Sequence, residues 1–178
     1  MRIRNFRLED IPALVHIQRA ATEVDKSTAM GEAEFAKWIT SSEIDADANA
    51  FVVTDDDDEL NTWGQAGTLE GIEGEIVGYT VLRVQQDQDA YHLYCQGTVH
   101  PQHRRRNAGR ALIICALNRA NLIASDFEFE AEQADMPIYF EVFFPLNDPS
   151  SAPLAAKCEM QRTTLPVSNG FQLYRRVL

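Results

Sequence analysis

The chain has 178 residues, of which 45% are hydrophobic and 24% are charged, values that exclude a wholly disordered chain and a collagen-like one. Its 27 acidic and 16 basic residues give a formal net charge of −11, which argues against general nucleic-acid binding because that relies on a basic surface. No apolar run approaches the ~20 residues that a membrane helix needs, so we expect no membrane partner.

The first third of the chain predicts strand, helix, helix and strand in that order. Alternation of apolar and polar residues predicts an edge strand first, and the pairing of Asp10 with Pro12 is typical of a helix start. Apolar residues at helical spacing follow in both predicted helices. The predicted elements are a strand over 2–8, a helix from about 11 to 21, a helix over 32–40 and a strand over 50–54.

An acidic, Gly-rich stretch then runs from Asp55 to Gly74. Loops of about twenty residues are uncommon inside compact domains and are usually functional or disordered. Its adjacent carboxylates lack the Gly-punctuated ligand spacing of an EF-hand, so we expect a mobile, solvated loop rather than a metal site.

The remaining chain predicts a mixed sheet. A strongly apolar helix begins near Gly109, and Asn169-Gly170 is the strongest kind of two-residue turn signal. The element order predicts an α/β domain with a mixed, mostly antiparallel sheet of about six to seven strands and about four helices. The predicted elements are strands over 75–84, 91–99 and 138–144, a helix with apolar positions from 112 to 123, a helix over 151–159, and a closing hairpin over 162–167 and 171–177.

One segment, from Val99 to Ala111, carries most of the visible chemistry. A strand ends there, a loop with four arginines in seven positions follows, and a helix begins. A helix N-terminus presents unpaired N–H groups and a partial positive charge, and arginine adds bidentate donors for phosphate. The segment has neither the Gly-Lys-Ser/Thr of a Walker loop nor a GxGxxG fingerprint. It predicts a site for a small polyanion, with a solvated basic loop of no function as the alternative.

The run from His100 to Leu112 resembles the acetyl-CoA signature of the GNAT N-acetyltransferase superfamily. That signature is a strand ending in Val-x-Pro, then Arg/Gln-x-x-Gly-x-Gly/Ala, then an apolar helix. Val99, Pro101, Arg104 and Gly109 match it. Asn107 stands where the family usually has its first Gly, and Asn is the non-Gly residue that best tolerates a left-handed backbone.

The resemblance implies a GNAT-like fold over one domain, residues 1–178, and acetyl-CoA as co-substrate. It implies that backbone N–H groups and arginines of the loop hold the cofactor's phosphates, and that the pantetheine arm pairs like an extra strand with the fourth strand, where a backbone N–H polarises the thioester carbonyl. The implied cofactor-binding residues are Gly97, Val99, Arg104, Arg105, Arg106, Asn107, Ala108, Gly109, Arg110 and Asn147.

Catalytic groups are harder to assign from the sequence. An alkylammonium with a pKa near ~10 must lose a proton before it can attack, so a general base and an acid for the leaving thiolate are needed. Many GNAT members carry a Tyr for this purpose in the helix after the fifth strand, but 151–159 has none. The remaining candidates are Tyr94 and His92 on the fourth strand and Glu141 in the apolar fifth strand. A plain structural role is the alternative, with Glu141 either reaching solvent at a sheet edge or paired to an Arg.

The function expected is transfer of acetyl from acetyl-CoA to an amine of a small molecule or to an exposed amino group. A CoA-binding GNAT-like module without activity is the alternative, and an RNA-binding protein is disfavoured because no wider basic surface or stacking aromatics accompany the loop. Three widely spaced cysteines form no CxxC, so we expect no metal site and a reducing, cytoplasmic location. The N-terminus shows no signal-peptide pattern, and a homodimer is compatible with the resemblance.

Overall fold

A seven-stranded sheet with helices on both faces forms the fold, as seen in a computed structural model that describes residues 1–26, 29–55, 74–164 and 170–178. The strands are β1 (Arg2–Asn5), β2 (Ala50–Asp55), β3 (Glu75–Gln86), β4 (Tyr91–Val99), β5 (Ile138–Pro145), β6 (Gln161–Arg162) and β7 (Phe171–Val177). The α-helices described are α1 (Ile11–Asp25), α2 (Glu32–Ile39), α3 (Ala46–Asn49), α4 (Ala108–Ala134) and α5 (Ser151–Lys157).

The strands follow the order β1-β2-β3-β4-β5-β7-β6. β4 and β5 pair in parallel, and the other neighbours pair antiparallel. α4 makes the crossover between the two parallel strands, as such a connection requires. The expected α/β class with a mixed, mostly antiparallel sheet is therefore confirmed, with β1 at one edge as predicted.

Two cores lie on opposite faces of the sheet because successive strand residues point to opposite sides. One face of β2 and β3 packs against α1 and α2, around the fully buried Phe35 and Ile39. The other face, from β3 to β5, packs against α4 and α5, around Leu93 and Phe140. None of the described helices combines the length and the apolar character that crossing a membrane demands.

Several element boundaries differ from the sequence prediction. β1 ends at Asn5 rather than at residue 8. Asp10 occupies the N-cap position of α1, but its carboxylate accepts hydrogen bonds from the Arg4 guanidinium and the Arg7 backbone N–H instead of capping that helix. α3 was not predicted, since four residues are too short for a periodic signal.

α4 runs well past Ile123, the last apolar position that the sequence pattern marked. The acidic composition of its second half hides apolar residues that continue the same face. Phe127 stacks on Tyr91 with 5.1 Å between ring centroids, and Ala131 is buried in the core. Most of the predicted acidic loop and the Asn169 half of the predicted turn lie outside the described residues. The hairpin strands pair as Gln161 with Arg175 and Arg162 with Tyr174.

Gly97 is required by the close approach of β3 and β4. A Cβ atom at this position would lie 2.2 Å from the Tyr79 carbonyl oxygen and 2.8 Å from Thr80 Cα, so backbone atoms would have to move. We expect Gly97→Ala to lower the free energy of unfolding by about 1–3 kcal/mol, as overpacking does. Urea denaturation measures this loss. Gly109→Ala is the matched control, because its Cβ atom makes only ordinary contacts of 3.8 Å or more. Equal stability of the two variants would contradict the steric argument.

Candidate functional site

A cleft opens where β4 and β5 separate. Their pairing in the described strands ends at Cys95 with Val142, although β4 continues to Val99 and β5 to Pro145. The cleft has a volume of about 1000 Å³. Side chains from α1 and α2 line it on one side of the sheet, and side chains from α4 and α5 line it on the other. It therefore reaches both faces of the sheet.

The backbone of β4 directs unpaired groups into this cleft. Tyr91 N–H donates to Pro137 O on the β5 side, whereas His100 N–H donates to Val77 O on the β3 side. Because backbone polar groups alternate along a strand, odd-numbered residues of β4 point toward β5. Gly97 and Val99, which line the cleft, therefore direct their N–H groups to the side where β5 no longer pairs.

The loop between β4 and α4 presents a row of free amides. Arg105 and Asn107 both have φ of 67°, the left-handed conformation that the sequence analysis expected Asn107 to tolerate. Within the described residues, no amide N–H from 105 to 110 donates to a protein acceptor. The start of a helix leaves such groups unpaired and carries a partial positive charge. The geometry is that of an anion site at the N-terminus of α4.

The arginines of the loop differ in what they contact. Arg104 lines the cleft, and its two Nη atoms each donate a hydrogen bond to a carboxylate oxygen of Asp25 at 2.7 Å. These hydrogen bonds raise the pKa of the Arg104 guanidinium above its usual value. Arg106 lies outside the cleft lining, 3.7 Å from Asp55 Oδ2. Arg105 and Arg110 line the cleft, and neither forms an ion pair within the described part of the chain.

Two further predicted cofactor residues do not line the cleft. Ala108 is buried in a small cluster with Val53 and Val77, so its side chain anchors the start of α4 to the sheet. Asn147 is exposed and lies outside the lining, whereas the neighbouring Asp148 belongs to it. Burial alone would raise the pKa of Asp148, but hydrogen bonds from Ser150 and the nearby arginines lower it.

Sequence reasoning missed several groups that line the cleft. Lys157, at the end of α5, adds an exposed cation, and Asp25 comes from the last turn of α1. Tyr79 reaches the cleft from β3, and burial raises the pKa of its phenol well above the usual value although Gln18 hydrogen-bonds to it. None of these could be found from local pattern, because each comes from an element distant in sequence from the loop.

The three predicted catalytic residues lie together beside the cleft rather than in it. Glu141 is fully buried, and its oxygens contact Arg175 Nε at 2.7 Å and His92 Nδ1 at 2.6 Å. The other ring nitrogen of His92 lies 3.0 Å from Asp87 Oδ2. Glu141 is thus paired to an Arg, as the structural alternative expected. None of the three predicted catalytic residues lines the cleft.

A stack of aromatic rings connects this network to the cleft. His92 and Tyr94 lie parallel with 5.4 Å between ring centroids, and Tyr94 stacks on Phe143 at 6.0 Å. Phe143 lines the cleft. Burial, followed by the charge of Glu141, raises the pKa of the Tyr94 phenol. Of the three predicted catalytic residues, Tyr94 is thus the one that contacts a lining residue, and the ring of Phe143 separates it from the cleft.

Comparison with known proteins agrees with this architecture. No protein-family model matches the chain. A mycothiol acetyltransferase of Saccharopolyspora erythraea is 33% identical over 66 residues, which is 37% of this chain and only 22% of that protein. The ribosomal-protein-alanine N-acetyltransferase of Brucella melitensis superposes with a TM-score of 0.61 at 14% identity over 100% of both chains. The NatB acetyltransferase complex bound to CoA gives a TM-score of 0.58 at 14% identity over 100% of this chain and 99% of that one.

The chain has the GNAT fold. The expectation drawn from the loop between β4 and α4 is thereby confirmed at the level of the GNAT fold. Within the described residues, the fold brings the split strands, loop residues with free amides and two arginines that form no ion pair there to one cleft.

Proposed function

We propose that this chain is an acetyl-CoA-dependent N-acetyltransferase that acts on an amine of a small molecule or on an exposed amino group. One observation carries the proposal: the residues with free amides at 105, 107, 109 and 110 line the same cleft into which the split between β4 and β5 opens. A diphosphate and an extended amide-bearing arm are the two kinds of group that these features suit.

The residues present fit such a ligand. The amides of 105–110 would hold the phosphates, with Arg105, Arg110 and Lys157 supplying positive charge among the basic residues that line the cleft. The N–H groups of Gly97 and Val99 would pair with the arm along the open edge of β4. When bound, acetyl-CoA supplies a thioester carbonyl that an amine nitrogen can attack, with the CoA thiol as leaving group. A β4 N–H directed at that carbonyl oxygen would stabilise the developing negative charge.

The part of the cleft on the α1 and α2 face of the sheet would receive the acceptor. Gln18 and Trp38 line it from α1 and α2. Burial raises the pKa of the Tyr79 phenol above its usual value, so the group stays neutral and can donate a hydrogen bond, but it is a weaker acid than an ordinary tyrosine. We propose that Tyr94 contacts the acceptor beside Phe143, and that His92 and Glu141 position Tyr94 through the ring stack.

A second candidate is a CoA-binding module without activity. The two carboxylates that line the described cleft, Asp25 and Asp148, are both engaged, one with Arg104 and the other with Ser150. No histidine is among the lining residues that the structure describes. A site without a free base suits binding better than proton removal.

Calorimetric titration with acetyl-CoA, followed by thiol-release assays on an amine panel, separates the two candidates. We expect binding with Kd in the micromolar range, about −8 kcal/mol, and thiol release with at least one amine. Binding without turnover on any amine would favour the module. No binding of acetyl-CoA or CoA would overturn both.

A further inference from the structure

The Arg104 guanidinium is the most constrained group of the loop. Its two Nη atoms donate to the two oxygens of Asp25 at 2.7 Å each, and its Nε donates to Val99 O at 3.1 Å. Asp25 is largely buried, with 12% of its side chain exposed. Bidentate guanidinium–carboxylate pairs are among the strongest and most directional contacts in proteins. Three of the five N–H donors of Arg104 are thereby committed within the protein.

The pair ties together three elements that meet only in the folded chain. Asp25 is the last residue of α1, Val99 is the last residue of β4, and Arg104 precedes the two left-handed residues Arg105 and Asn107. A left-handed backbone at a residue with a side chain is costly and persists only where its surroundings hold it. The Arg104 side chain supplies such an anchor directly before this strained turn.

We propose that Asp25 is a positioning residue for the anion site, and that it acts by holding Arg104 as an internal strut rather than as a phosphate ligand. The inference rests on the proposed CoA-binding function and identifies the contact that holds the phosphate-binding loop in its conformation. The strut keeps the amides of 105–110 directed into the cleft. It also fixes the end of α1, so the loop and the α1 wall of the cleft share one support.

Removing Asp25 distinguishes a strut from a phosphate ligand because the two roles predict opposite changes. If Arg104 were a ligand restrained by Asp25, Asp25→Asn would free it and remove a negative charge from the cleft, so CoA would bind more tightly. If Arg104 is a strut, Asp25→Asn weakens CoA binding by about tenfold to a hundredfold. This factor corresponds to the free energy lost when a charged hydrogen-bonded pair is broken. Calorimetric titration with CoA measures the change without reliance on turnover.

A double-mutant cycle gives the second readout. We expect Arg104→Gln to weaken CoA binding as much as Asp25→Asn, and the double variant to be no worse than either, because both remove the same contact. Arg104→Lys keeps the charge but cannot span both carboxylate oxygens, so we expect no rescue. A ligand role predicts partial rescue by lysine and opposite effects of Arg104→Gln and Asp25→Asn on CoA affinity, and either result would overturn the inference.

Control variants separate local charge and folding from positioning. Glu23→Gln on the exposed surface of α1 removes the same charge as Asp25→Asn, and Lys37→Gln on α2 removes one cation as Arg104→Gln does. We expect both controls to bind CoA like wild type, and circular dichroism to show all variants folded. Failure of the wild-type protein to bind CoA would refute the proposed function. Wild-type binding with an unaffected Asp25→Asn variant would refute only the positioning role.

Discussion

Replacing Gly109 with tryptophan is expected to abolish acetyl-CoA binding while the chain stays folded. Gly109 lies in the first turn of α4 and lines the cleft. A Cβ atom there would lie 3.8 Å from a Val99 side-chain atom and 3.9 Å from one of Leu154, which are ordinary contacts between the end of β4 and α5. A small side chain is therefore tolerated, whereas an indole would occupy the space between those elements that the ligand requires.

Gly109→Ala is the matched control for this experiment. Alanine is the better helix former by up to about 1 kcal/mol, so we expect equal or higher stability and a CoA affinity near that of wild type. Titration calorimetry gives the affinities, and thermal melting shows whether each variant is folded. Wild-type affinity in a folded tryptophan variant would place the cofactor elsewhere and would remove the main support for the proposed enzyme.

Replacing Arg175 with methionine is expected to destabilise the protein by about 3 kcal/mol or more, because it leaves the carboxylate of Glu141 buried without its main cation. Arg175 contacts Glu141 Oε1 through Nε at 2.7 Å and Nη2 at 2.6 Å, and its guanidinium lies 3.9 Å from the Tyr139 ring centroid. Glu141 has no solvent exposure that could compensate the loss. Urea denaturation measures the change in the free energy of unfolding.

The double variant Glu141→Gln/Arg175→Met tests whether the buried charge is the cause. A neutral amide costs far less to bury than a carboxylate, so we expect the double variant to be more stable than Arg175→Met alone. A loss below about 1 kcal/mol for Arg175→Met would instead be typical of a surface ion pair. It would show that His92 and solvent suffice to hold Glu141.

Local pattern was sufficient for most secondary structure but not for the far half of α4. β4 was predicted at its observed bounds, because strict alternation continues to a Pro-containing turn. Beyond Ile123 the acidic residues of α4 mask its apolar face, and only packing against β4 shows that Phe127 and Ala131 belong to the core. The sequence of neither strand indicates that β4 and β5 diverge after Cys95 and Val142. The divergence depends on where two segments that are distant in the chain stop pairing.

The apolar period and the turn residues were enough to predict the fold class and the order of the elements other than α3, and the identity of residue 107 indicated that a left-handed backbone is tolerated there. Tertiary packing sets which side chains face the cleft. It joined Arg104 to Asp25, 79 residues away in the chain, and brought in Lys157 and Tyr79. It enclosed Glu141 between His92 and Arg175. Contacts between distant residues depend on how helices and strands pack, which no local pattern encodes.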